Sequence, residues 1–320
     1  MIFSGPVVNL YRKSMFSRVD GDGLVHYFSA EDFPGLHRES YIFKGNMGQE
    51  LHGYFYSYEN PHHDHVVIFE HGFGGGHTAY MTEIERLARH GYMVFAFDKT
   101  GCMESGGASA NGFAQAIADL DACLTTLKAD PSMEGVRFSV VGHSWGAYAT
   151  MNIAALHPDV AHLVSLAGPV SAQKLIEQNF RGPLSLFRKD VYAQETAANP
   201  RYASLSAEES LRRTEAQILL IYSADDKLVH KNMHYDLLHA KLADRKNVRF
   251  LLVDGKSHNP NYTAEAVAYL DEFTEALAEV RKRKKIEPQV RHAFRNKWDW
   301  KRMTAQDDAI WDEIFETLDK

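Results

Sequence analysis

The stretch Val136-Arg-Phe-Ser-Val-Val-Gly142-His-Ser144-Trp-Gly146 constrains what this chain can fold into more than any other. An apolar, β-branched run enters Gly-x-Ser-x-Gly, and an alanine-rich helical pattern from Ala147 to Leu156 follows. That is a strand, a sharp turn and a helix, with a serine at the apex. Side chains at positions 142 and 146 would collide with the neighbouring strand and helix, so glycine is needed at both. The strained turn lifts the Ser144 hydroxyl clear of the sheet, and the helix that follows points its N-terminal amides at any negative charge formed there.

A serine hydroxyl is a weak nucleophile, so the pattern calls for a base, an orienting acid and donors for an oxyanion. Upstream, His65-Val-Val-Ile-Phe-Glu-His71-Gly72-Phe73-Gly74-Gly75-Gly76 reads as a buried strand that ends in a glycine-rich loop, where backbone N–H groups can approach a substrate carbonyl. Downstream, Ile218-Leu-Leu-Ile-Tyr-Ser-Ala-Asp225-Asp226-Lys-Leu-Val229 is a buried strand with carboxylates just past its end. Val248-Arg-Phe-Leu-Leu-Val253 reads as a further strand, followed by Asp254-Gly-Lys-Ser-His258. Each polar candidate lies beyond the carboxyl end of a strand, where open α/β sheets gather their active sites. His230 and His234 compete with His258 on spacing; His258 is preferred because a glycine turn gives it the reach to cross back to Ser144.

From about residue 37 to 278 the chain resembles an α/β-hydrolase, nearest to the serine aminopeptidase-like and small carboxylesterase branch. The resemblance rests on His71-Gly-Phe-Gly, Asp98-Lys-Thr-Gly-x-x-x-Ser105-Gly, Gly142-His-Ser-Trp-Gly146, Asp226-x-x-Val229 and Gly255-x-x-His258. It implies a mostly parallel central sheet with helices on both faces. It also implies that Ser144 is the nucleophile, His258 the general base and Asp226 the orienting acid. Asp226 holds the family's spacing to Val229, which Asp225 does not. The resemblance assigns the oxyanion hole to the backbone N–H groups of Phe73 and Trp145, and the three glycines after Phe73 also allow the Gly74 amide to serve. Serine stands at position 223, where the family usually has glycine.

Strand and helix patterns alternate along the chain. A hairpin, Tyr41-Ile-Phe-Lys-Gly and Leu51-His-Gly-Tyr-Phe-Tyr-Ser-Tyr around Asn46-Met47-Gly48, precedes the parallel units. Between 169 and 217 no strand signal appears, only short helical pieces with apolar residues that need something to cover; this reads as a helical lid. The core is expected to run from 1 to 280 and a helical extension from 281 to 320. The long helix from Thr263 closes in Arg281-Lys-Arg-Lys-Lys285, read as solvated cations at a helix C-terminus. In the extension, Thr304-x-x-Asp307 resembles a capping box, and Ile310, Trp311, Ile314, Phe315 and Leu318 form an apolar face. Such a face must be buried, on its own subunit or in a homodimer.

Hydrophobic residues make up 45% and charged residues 24%, ordinary values for a globular protein. The net charge of −7 argues against a nucleic-acid-binding face. Two cysteines, Cys102 and Cys123, provide no disulfide framework, and Ser4-Gly5-Pro6 interrupts the apolar start, so a cytoplasmic, non-membrane protein is expected. His62, His63 and His65 sit in what reads as a polar turn with no fixed coordination geometry, so neither metal nor organic cofactor is expected. The expected chemistry is hydrolysis of a small-molecule ester with a small to medium acyl group. The alternatives are a peptidase acting on short peptides, with Glu177 and Glu195 as candidates to grip the amine, and a catalytically silent scaffold.

Overall fold

The computed structural model describes residues 4–320. Helix α1 (Gly5–Met15) opens with a proline in its first turn, where a missing N–H costs nothing. Ser4-Gly5-Pro6 therefore starts a helix. Tyr11, with Val7, Val8 and Met15, packs on Ile176, Phe180 and Val191 of the segment after residue 169.

The hairpin is formed by β1 (His37–Lys44) and β2 (Glu50–Ser57), paired from His37 opposite Ser57 to Lys44 opposite Glu50. There follow β3 (His62–Glu70), α2 (Met81–Arg89), β4 (Tyr92–Phe97), α3 (Gln115–Ala129), β5 (Arg137–His143), α4 (Trp145–Asn152) and β6 (His162–Leu166). The insertion holds α5 (Ala172–Asn179), α6 (Arg188–Ala198) and α7 (Ala207–Ser210). Then come β7 (Gln217–Ser223), α8 (Tyr235–Leu242), β8 (Val248–Val253) and α9 (Ala264–Arg281). The last part of the chain forms α10 (Pro288–Asn296), α11 (Trp300–Met303) and α12 (Asp308–Leu318).

Among the described residues, eight strands form one sheet in the order β1-β2-β4-β3-β5-β6-β7-β8. β2 is antiparallel to β1 and β4; the remaining pairs are parallel. The chain steps from β3 to β4 on one side and returns to β5 on the other. The strand order thus reverses at β3, and the crevice at such a switch point is where open α/β sheets bind ligands.

Side chains alternate between two apolar layers, as the pleat requires. Val66, Ile68, Val140 and Leu220 face one layer, with Ile117, Leu124, Tyr148 and Leu238. Val67, Phe69, Val141 and Ile221 face the other, with Ile84 and Leu87 of α2. The second layer is completed by Ile310, Trp311, Ile314 and Leu318 of α12. The apolar face for which a homodimer was one expectation is thus covered by the chain's own sheet, with Trp311 fully buried. Four such side chains bury roughly 6–12 kcal/mol of gross hydrophobic stabilisation, comparable with a whole domain's net stability of about 5–15 kcal/mol. Helix α12 is part of this core layer, while Phe294, Trp298 and Met303 pack on Phe273 and Leu277 of α9.

Two local expectations are corrected. Helix α12 is capped by Asp307 alone, whose Oδ1 accepts the Ala309 N–H at 3.0 Å. The Thr304 hydroxyl instead donates to the Trp300 carbonyl at 2.9 Å, so it closes the preceding turn. The histidines from 62 to 65 belong to β3, and His65 is buried with its Nε2 2.7 Å from Ser139 Oγ. The terminal cations pair with acids: Arg281 with Asp22, Lys282 with Glu279, Lys285 with Glu287. No helix among the described residues is long and apolar enough to cross a membrane.

Burial pushes five histidines down: His65 and His162 to about 4, His143 and His234 to about 3, and His71 well below its ordinary value. These are neutral when folded and protonate when unfolded, so their contribution to stability is lost as pH falls from 6.5 toward their folded pKa values. Burial raises four carboxyls, Glu70, Glu83, Asp119 and Glu195, which has the opposite sign. Between pH 7 and pH 5 the five histidines take up protons only on unfolding, Glu70 near 6 opposes them, and each uncompensated proton contributes about 1.4 kcal/mol per pH unit. The melting temperature is expected to fall between pH 7 and pH 5 in scanning calorimetry; a flat or rising profile would contradict this balance.

Candidate active site

The turn at the end of β5 is built as its glycines require. A Cβ on Gly142 would stand 2.4 Å from Thr150 Oγ1, and one on Gly146 would stand 2.0 Å from the Glu70 carbonyl oxygen. Between them Ser144 adopts φ 55° and ψ −113°, a strained conformation that costs about 1–3 kcal/mol. The neighbouring strand holds it there, since the Ser144 N–H donates to the Leu166 carbonyl at 2.8 Å. Helix α4 starts at Trp145 and is buried along its length.

The structure brings Ser144, His258 and Asp226 together. Ser144 Oγ lies 2.8 Å from His258 Nε2, and His258 Nδ1 lies 2.7 Å from Asp226 Oδ2. Because a carboxylate only accepts, Nδ1 carries the proton and Nε2 presents its lone pair to the serine hydroxyl. The other Asp226 oxygen accepts the N–H groups of Leu228 (2.7 Å) and Val229 (3.0 Å), which explains the Asp-x-x-Val spacing. The Asp226 side chain is shielded from solvent, while that of His258 remains 14% exposed.

Asp225 points the other way. It accepts the N–H groups of Lys256 (3.3 Å) and Ser257 (3.2 Å), as well as the Ser223 hydroxyl at 2.5 Å. Serine at position 223 thus orients the neighbouring carboxylate. His234 is buried, accepting the Val170 N–H and hydrogen-bonded to Gln178, and His230 lies on the rim against Arg181. Neither reaches Ser144.

His143 does more than pack. Its Nε2–H donates to the His258 carbonyl at 2.8 Å, and its Nδ1 accepts the Tyr80 hydroxyl at 2.8 Å. Burial and the nearby His258 push it down to about 3, so it stays neutral. Its position beside the serine is visible in the sequence, but its partners, on α2's approach and in a loop 115 residues away, are not.

The loop after β3 lies against the elbow: a Cβ on Gly72 would meet Tyr80 Oη at 2.3 Å and Ser144 Cβ at 3.4 Å. Beneath it, fully buried Lys99 pairs with Glu70 (2.7 Å) and donates to the His71 carbonyl at 2.8 Å. Burial pushes Glu70 up to about 6, with Lys99 opposing the shift. Sequence reasoning misses this pair; a lysine two residues past the apolar run of β4 is the signal that could have found it. The Phe73 ring stands edge-on to Trp145 with centroids 5.0 Å apart. Among the described residues, the N–H groups of Phe73, Gly74 and Trp145 have no protein acceptor.

Of the two candidate amine grips, Glu195 is fully buried and accepts the N–H groups of Phe113 and Ala114 and the Tyr11 hydroxyl. It ties α1 and α6 to the start of α3. Glu177 pairs with Lys174 at 2.7 Å.

Residues 65–278 match the sequence profile of the alpha/beta hydrolase fold. Among solved structures, the chain is similar to an esterase of Pyrococcus furiosus at 20% identity and a TM-score of 0.59, with 82% of this chain and 97% of that one covered. It is similar to an acetyl xylan esterase from Paenibacillus sp. R4 at 16% identity and 0.56, covering 86% and 93%. A puromycin-hydrolyzing peptidase of Mycobacterium tuberculosis matches at 18% and 0.55, over 70% of this chain and 36% of the peptidase. At such identities the likeness is one of fold. No curated protein matches the chain. With the profile spanning about two thirds of its length and the sheet, elbow and strand-end loops in the expected order, the chain belongs to the alpha/beta hydrolase fold family.

Proposed function

We propose that the protein is a serine hydrolase that cleaves carboxylic esters of small to medium acyl groups through an acyl-enzyme. The observation that carries this reading is the hydrogen-bonded line Ser144–His258–Asp226. His258 Nε2 takes the Ser144 proton as Oγ attacks the ester carbonyl. The imidazolium, stabilised by Asp226, then protonates the departing alkoxide. Water then attacks the acyl carbon as His258 removes its proton. On collapse of the tetrahedral species the acyl–Oγ bond breaks, His258 returns the proton to Ser144 Oγ and the acid departs. The backbone N–H groups of Phe73 and Trp145 are assigned to the oxyanion at each tetrahedral stage, with Gly74 as the alternative register.

The acyl preference is supported by an apolar chamber of about 360 Å³ between α1 and the insertion, lined by Val7, Leu10, Met15, Phe113, Leu175 and Phe180. Cavities of this size suit small ligands. The chamber adjoins the elbow through Phe113, whose carbonyl accepts the Trp145 indole N–H at 2.6 Å. In this reading the insertion is the lid and α1 its second wall. An amide substrate is less favoured because Glu195 is consumed in the fold and Glu177 already has a cation.

The test is hydrolysis of p-nitrophenyl esters of graded acyl length beside aminoacyl-p-nitroanilides, with wild type and Leu175→Trp. Ester turnover should exceed anilide turnover and peak at an intermediate length. The tryptophan should move that peak to shorter chains, with a loss of roughly fourfold in kcat/KM per methylene excluded. Faster anilide turnover would place the protein among peptidases, and an unmoved length profile would exclude this chamber as the acyl site.

A further inference from the structure

We infer that the segment just before α12 is a brace for the catalytic histidine: residues 305–307 clamp the loop 256–263 and so fix His258 against Ser144. The inference rests on the proposed role of His258.

Contacts between the two segments are dense and directional. Lys256 Nζ donates to the Tyr262 carbonyl and pairs with Asp307 Oδ2, both at 2.6 Å. The Asp307 N–H donates to the Asn261 carbonyl at 2.8 Å, and the Thr263 N–H donates to the Ala305 carbonyl at 2.9 Å. Asn261 Nδ2 donates to Gln306 Oε1 at 2.8 Å, and Tyr262 forms an isolated antiparallel bridge with Gln306. Lys256 also holds the Asp307 carboxyl below the usual range. These contacts begin two residues before His258 and end five residues after it.

The loop needs such a partner. It leaves β8, an edge strand whose residues are mostly half-exposed, and it contains Gly255 at φ 67° and Ser257 at φ 49°. Asp225, Asp226 and His143 restrain residues 256 to 258, and beyond them Asn261 donates to Glu83 of α2 at 3.1 Å, so the remaining polar contacts of the loop to other segments are those to residues 305–307. The clamp is itself anchored. Asp307 caps α12 with one oxygen while it holds Lys256 with the other, and Gln306 accepts the indole N–H of fully buried Trp311. The rigidity of the sheet layer reaches the loop through these two residues. Lys256, Asp307 and Gln306 are therefore positioning residues: they touch no reacting atom and act through His258.

The experiment compares full-length wild type, Lys256→Met, Lys256→Arg and Asp307→Asn, with Arg86→Ala as control. Arg86 pairs with Asp308 and lies over Trp311, so its loss loosens α12 without touching the loop. Measured are kcat and KM on p-nitrophenyl butyrate, the rate of fluorophosphonate labelling, the melting temperature, and the downfield proton resonance of His258 Nδ1–H. Lys256→Met should lower kcat and the labelling rate about tenfold or more, as expected when a catalytic group is displaced by a fraction of an ångström. Its KM should stay within about twofold and the downfield resonance should broaden. Lys256→Arg should restore most of the loss, Asp307→Asn should fall between, and Arg86→Ala should lower only the melting temperature. A folded Lys256→Met with wild-type kcat and an unchanged resonance would overturn the brace, as would an equal loss of kcat in Arg86→Ala. Wild type that neither hydrolyses esters nor labels would instead defeat the triad reading; the resonance, read without turnover, would still decide the brace.

Discussion

Ser144→Ala is expected to lower kcat for ester hydrolysis by a factor on the order of 10⁴ or more while the protein stays folded. The attacking oxygen is lost, and His258, 2.8 Å away, has no proton to take from the side chain. Binding and the amides near the elbow remain, so a small residual rate over water is expected. The fold should survive, because alanine is no larger than serine and the flanking glycines that admit the turn are untouched. Steady-state kinetics and a melting curve on the same preparation check both halves. Retention of more than about a tenth of wild-type turnover would mean that another group performs the attack.

Asp226→Asn is the second large effect, with an expected loss of about 10³–10⁴ in kcat. Asparagine can still accept the Leu228 and Val229 N–H groups, so the turn persists. Its amide NH₂ would then face His258 Nδ1 and favour the imidazole tautomer with the proton on Nε2, which cannot accept one from serine. Asp225→Asn should cost only a few-fold, because that residue accepts backbone N–H groups and an amide oxygen can still do so. Parallel kinetics on the two variants settle the assignment. The reverse order would move the orienting role to Asp225.

Much of this geometry can be read from the chain because each candidate catalytic residue follows a strand that announces itself. Phe138 to Val141 and Ile218 to Tyr222 are nearly continuous apolar runs, which is how buried parallel strands are written, and Val248 to Val253 reads as a strand too although it lies half-exposed at the sheet edge. The spacing from Asp226 to Val229 is equally local, as it is set by the carboxylate's own hydrogen bonds. What stays hidden depends on partners far along the chain. Nothing near Lys256 signals Asp307, and nothing near His143 signals the His258 carbonyl. Helix α1 is masked by a proline that reads as a break but serves as a start. Periodicity shows that the face of α12 has to be covered. It does not show whether another subunit or the chain's own β6 and β7 will do so.

The position of α12 also has a consequence for the order in which the molecule can be made. Val164 and Ile221 belong to strands synthesised well before α12, yet the layer that shields them is finished only by Trp311, Ile314 and Leu318. The Tyr92 hydroxyl donates to Asp319 across 227 residues of sequence. The part of that face formed by β6 and β7 therefore stays unsheltered on a growing chain until α12 has emerged, while α2 already covers β4. A nascent chain halted before residue 310 presents an uncovered apolar surface over β6 and β7, the kind of surface from which aggregation starts.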